Sequence, residues 1–169
     1  MCPWRKLEPV EIAFNKKINA IFLSEEISFE DAVREYRRIE AEGVEEDGDD
    51  QDHVVETRRR ITEWLLMHAH KDEQPQGVCR KIWEEMLQRG FSDLELRHTM
   101  SGIYVRCCQM NGAFDEGLAV LEPLIAEAEQ ALADTTLTAD MREFYEEGLR
   151  MDRKIRDELK AGIREPRTG

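Results

Sequence analysis

Apolar residues recur along this chain every three to four positions, and seven stretches carry that helical period. In the first, Phe14, Ile18, Ile21 and Phe22 share one face behind Pro9, a residue suited to a first helical turn. The spacing predicts a helix from about Pro9 to Ser24. A second is predicted from Ser28, where Ser28-Phe29-Glu30-Asp31 has the form of a capping box, to Gly43 as the glycine past its end. Phe29, Ala32, Val33, Tyr36 and Ile39 are its inward stripe. A third runs from about Val54 to Lys71 with Ile61, Trp64, Leu65, His68 and Ala69 inward. After a turn at Pro75 and Gly77, Cys79, Ile82, Trp83, Met86 and Leu87 define a fourth, which stops at Gly90.

The fifth and sixth stretches make the cleanest pair. Ser92-Asp93-Leu94-Glu95 reads as another capping box, followed by Met100, Ile103, Tyr104, Cys107 and Cys108 on one face. Asn111-Gly112 turns the chain into a stripe led by Phe114, Gly117, Leu118 and Leu121. Pro123 falls inside that stripe. A proline in a helix interior loses a hydrogen bond and costs about 3 kcal/mol, so a kink or a restart is expected there. The seventh helix is predicted from about Ala139 to Ala161, with Met141, Phe144, Tyr145, Gly148, Met151, Ile155 and Leu159 inward.

No long run alternates in the manner of a strand. The reading is therefore all-α: three antiparallel helical hairpins at about 9–43, 54–90 and 92–133, and a long C-terminal capping helix at about 139–161, in a single domain over 9–162. Met1–Glu8 is expected to be a loose lead-in and Gly162–Gly169 a frayed tail. The acidic run around residues 44–53 reads as a solvated, mobile loop.

Charge narrows the function. The formal net charge is −13, the wrong sign for nonspecific binding to nucleic acid or to an anionic membrane, and it suits a partner of basic or mixed charge. No window approaches the ~18 apolar residues of a membrane span, and the start lacks a signal-type apolar run. Cys2, Cys79, Cys107 and Cys108 form no disulfide framework, so reduced thiols and a cytoplasmic location are expected. His68 and His70, two apart on a helix, point to different sides and cannot share a metal. No phosphate loop or hydrolase motif is present, and nothing singles out a pair among the many carboxylates. Neither an enzyme nor a cofactor or metal is expected.

The helices also repeat. Phe29-x-x-Ala32-x-x-x-Tyr36-x-x-Ile39 matches Phe114-x-x-Gly117-x-x-x-Leu121-x-x-Leu124, and Cys79-x-x-x-Trp83-x-x-Met86 occupies the middle place. The small anchors lie 47 and then 38 residues apart, against about 34 in the family they suggest. The acidic insertion accounts for the first excess. Tyr104–Leu124, with Gly112, Phe114, Gly117, Leu121 and Leu124, resembles the tetratricopeptide repeat, and looser copies cover most of residues 10–132. That resemblance implies a protein-binding scaffold, of adaptor or chaperone type, whose first helices line a groove for a peptide or helix of a partner. Carried onto this chain, the groove positions include Lys17, Ile21, Trp64, His68, Lys71, Arg106 and Gln109, with Phe14, Ile61, Thr99 and Met110 beside them. Lys17, Lys71 and Arg106 would pair with acidic groups, and Trp64 would be an aromatic anchor. The family's carboxylate-clamp pattern is not reproduced. The resemblance leaves homo-oligomerisation open. Lys81–Leu124 is similar also to the pentatricopeptide repeat, whose members bind single-stranded RNA one base per repeat. The copies here are few and the charge is acidic, so RNA is the alternative reading.

Overall fold

The computed structural model describes residues 9–165. Met1–Glu8, with Cys2, and residues 166–169 lie outside the described residues. Seven helices follow one another: α1 (Pro9–Leu23), α2 (Phe29–Asp47), α3 (Gln51–Lys71), α4 (Gln76–Arg89), α5 (Leu94–Asn111), α6 (Phe114–Leu132) and α7 (Ala139–Lys160). The described residues contain no strand, so the fold class is all-α. None of these helices is long and apolar enough to cross a membrane. The chain packs as two compact units that part within α5, one ending at Leu96 and the other beginning at Arg97.

In the first unit α1 packs on α2, α2 on α3, and α3 on α4. Ile18, Tyr36, Ile61, Leu65, Leu66 and Met86 are fully buried there. Ser28 caps α2, its Oγ accepting from the Asp31 backbone N–H at 3.1 Å and donating to the Asp31 carboxylate at 2.9 Å. Arg37 of α2 reaches Glu85 of α4 through two hydrogen bonds, at 2.9 and 2.6 Å. Arg89 of α4 answers with Glu40 of α2, so a lattice of four charged groups clamps these two helices.

The acidic run does not form the expected loop. α2 continues through Glu45, Glu46 and Asp47, α3 begins at Gln51, and only Gly48–Asp50 links them. Gly43 does not end α2; Gly48 does, at φ 58°, its N–H donating to Val44. Gly43 has a packing role instead. A Cβ there would stand 3.0 Å from Thr57 Cγ2, tighter than ordinary contact, so the missing side chain lets α2 and α3 approach. Arg38 pairs with Glu42 just before the run, and within it the Thr57 hydroxyl donates to Asp47. Asp50 then caps α3 through the His53 N–H.

In the second unit α5 and α6 lie antiparallel, as Arg97–Glu127 and Tyr104–Glu116 pairings show. Gly112, at φ 72°, ends α5: its N–H donates to Gln109 and that of Ala113 to Cys108, which closes the last turn. Gly117 is buried with α5 so near that a Cβ would meet Cys108 Cβ at 3.2 Å. α6 runs unbroken through Pro123, so the expected restart is absent, and α7 packs along it. The second capping box is shifted by one: Asp93 caps α5 through the Leu96 N–H, while Ser92 donates to Glu56 of α3. The expected fraying does not start at Gly162, because Ile163 and Glu165 are held by Gln109 and Arg106. Cys79, Cys107 and Cys108 are buried, and none of them is in a disulfide.

Candidate functional site

Helix α5 carries Gly102 and helix α7 carries Gly148, both in helix interiors and neither at positive φ. A helix-interior glycine costs roughly 1 kcal/mol relative to alanine and is normally explained by close packing or a special conformation. Neither explanation holds here. A Cβ at either position would have nothing within 4 Å beyond its own helix. Both glycines line one cleft of about 290 Å³, open to solvent, between α5 and α7 of the second unit. Its walls are mainly apolar: Ile103 on α5, and Phe144, Leu149, Met151 and Ile155 on α7. Met151, expected in the buried stripe of α7, is 46 % exposed at this cleft.

His98, Thr99, Arg106, Tyr145 and Asp152 bring polar side chains to the cleft. Arg106 is matched by Glu165 at 3.1 Å. His98 packs edge-on to Phe144 and Tyr145, and its buried Nε2 has no hydrogen-bond partner among the described residues; the Glu127 carboxylate lies 3.5 Å away. Asp152 is half-buried and, among the described residues, makes no hydrogen bond or ion pair. Burial holds its carboxyl above the usual range, opposed by His98.

The first unit has a polar centre of another kind. His68 is fully buried within edge-on contact of Phe22, Phe29 and Tyr36. Its Nδ1 lies 2.8 Å from Tyr36 Oη and its Nε2 lies 3.1 Å from the Asp72 carboxylate. A carboxylate only accepts, which assigns the proton to Nε2; neutral Nδ1 then accepts from the tyrosine. Burial lowers the pKa of His68 more than Asp72 raises it, so the ring is neutral. Burial likewise raises Tyr36 far above its ordinary value, with Asp72 adding to the effect. The centre is closed, each ring nitrogen is matched, and it welds α2 to α3.

Glu63 is a buried carboxyl group in the same unit. It is 9 % exposed and its Oε1 has no hydrogen-bond partner among the described residues. Its carboxyl is pushed up to about 7, first by burial and then by Glu56, with Asp93 adding and Arg60 and Arg59 opposing.

The seven groove residues anticipated from the sequence divide between surface and interior. Lys17 is exposed at a smaller cavity of about 180 Å³ between α1 and α2, 3.6 Å from Glu42. Lys71 is exposed, bonded to the Phe22 carbonyl and 5.0 Å above its ring. Trp64 is half-buried edge-on to Phe22, and Arg106 lines the α5–α7 cleft. Ile21, His68 and Gln109 are buried. The apolar period of α1 and the two polar partners of His68 turn the first two inward, and Gln109 spends its amide on Glu158 and the Ile163 carbonyl. Conversely, Asp152, His98 and Gly102 were not among the anticipated residues. The signal for Gly102 was present in the sequence as a glycine in the middle of a strongly periodic helix. No group of three His, Cys, Asp or Glu side chains among the described residues is placed to hold a metal ion. Compared with known protein families, curated proteins and solved structures, the chain matches none.

Proposed function

We propose that the chain is a non-enzymatic protein-interaction module, of adaptor or chaperone type, that takes a segment of a partner protein into the α5–α7 cleft. The observation that carries this reading is an open, apolar-walled cleft kept clear by two glycines that the fold itself does not need. Ligand sites are concave, mostly apolar and furnished with a few polar groups, and this cleft has that make-up. Its volume suits one or two anchoring side chains better than a whole cofactor. Thr99 and Arg106, groove positions of the tetratricopeptide resemblance, line it.

The same proposal extends to the architecture: α1–α2, α3–α4 and α5–α6 are three tetratricopeptide-like hairpins and α7 is the cap. The small anchors support it, since Ala32, Cys79 and Gly117 are all buried and Gly117 stands close against Cys108 of α5.

Panning a random twelve-residue peptide library on the full chain tests the reading, with the double variant Gly102→Leu/Gly148→Leu as counter-selection. Peptides enriched on the native chain are expected to lose at least tenfold in affinity for the filled variant, whose helices gain propensity and whose unfolding temperature does not fall. Enriched peptides that bind both proteins equally would place binding elsewhere and end the proposal.

A further inference from the structure

We infer that the α5–α7 cleft selects a partner segment in which a large apolar side chain lies close to a lysine or arginine, with Asp152 as the acceptor for that cation. The inference rests on the protein-binding reading of this cleft and names the chemistry of its partner.

The charged groups at the cleft set the sign. Arg106 is neutralised by Glu165, and His98 is held beside Glu127, which Arg97 also pairs. Asp152 is the one acid among the described residues lining the cleft, and it makes no hydrogen bond or ion pair, with His98 the group that acts on it electrostatically. It sits one residue from Met151 and three from Ile155, so the carboxylate and the apolar wall face an incoming segment together. A half-buried carboxylate has lost part of its hydration without a partner in return. An ammonium or guanidinium delivered by a ligand restores that loss through a charge-assisted hydrogen bond, whereas a phosphate or carboxylate meets like charge. The chain's net charge of −13 favours the same sign of partner on approach. The volume vacated at Gly102 and Gly148 supplies the apolar half of the site.

The test uses two fluorescein-labelled fourteen-residue amphipathic peptides. One has leucines along one helical face flanked by lysines; its twin has glutamate in place of every lysine. At physiological ionic strength the lysine peptide is expected to bind the full chain and the glutamate peptide at least tenfold more weakly. Asp152→Asn is expected to weaken the lysine peptide about tenfold, and Asp152→Lys to reverse the preference. The exposed position of Glu147, away from the cleft lining, makes Glu147→Gln the control for general acidity, with less than a twofold effect expected. If both peptides bind equally and are lost together on filling the cleft, or if Asp152→Asn binds the lysine peptide as well as the native chain does, the cleft stands and the basic selectivity is overturned. If neither peptide binds, or binding survives Gly102→Leu/Gly148→Leu, the proposed function falls with it.

Discussion

Replacing His68 by alanine is expected to destabilise the first unit by about 3–5 kcal/mol, the range for emptying a buried ring site. The loss has two sources. Phe22, Phe29 and Tyr36 lose the ring they surround, and the Tyr36 hydroxyl loses its acceptor inside the core. Tyr36→Phe separates the two, because it removes only the hydroxyl and leaves His68 Nδ1 without a donor, at about 1–3 kcal/mol. Urea titration followed by tryptophan fluorescence reads both, since Trp64 and Trp83 lie in this unit. Equal stability of His68→Ala and the native chain would show that the buried centre contributes nothing. The sign with pH also follows. His68 has a folded pKa below its unfolded value of 6.5, so between the two the unfolded chain binds a proton that the native chain refuses. This contribution is complete above pH 6.5 and is lost as pH falls below it.

Glu63→Gln is expected to stabilise the protein at pH 8 and to change little at pH 4. The native carboxyl keeps its proton up to about pH 7, whereas the unfolded one releases it at 4.5. Between those values the native state binds more protons, so stability falls as pH rises through the window and levels off above it. The displacement corresponds to about 3 kcal/mol at most, and local relaxation brings the expected gain from the amide to roughly 2 kcal/mol at pH 8. Glu63 and His68 therefore have slopes of opposite sign just below pH 6.5, where each offsets part of the other in the native chain. In Glu63→Gln the acid-side loss from His68 stands alone. In His68→Ala the alkaline-side loss from Glu63 stands alone. Unfolding midpoints from pH 4 to pH 8 distinguish them, and parallel profiles for the two variants would refute both assignments.

How much of this was legible beforehand varied by residue. Apolar positions at helical spacing marked every helix, because that period is a property of the chain alone. Ser28 was readable as a cap, Gly112 as a turn and Gly117 as a close approach for the same reason: each acts on neighbours within a turn or on a hairpin partner joined by a short link. Ser92 and Gly43 misled. Both have the residue type of a helix end, yet Ser92 turns to Glu56 and Gly43 makes room for Thr57, partners far off in sequence. Helix α2 runs on through its acidic residues, with Arg38 on Glu42 just before them and a hydroxyl from α3 on Asp47.

The sequence by itself determined that this is an all-helical chain of seven segments, where most of them begin, and which face of each is apolar. Local propensity, capping and period are enough for that. What stands opposite each face was decided only by the tertiary structure. That step sealed His68 and Gln109 inside, gave Arg106 its glutamate, and set Gly102 across from Gly148 with an unanswered Asp152 between apolar walls. A helical period says that a side chain turns inward; whether it finds another side chain there or an open cleft depends on a helix tens of residues away.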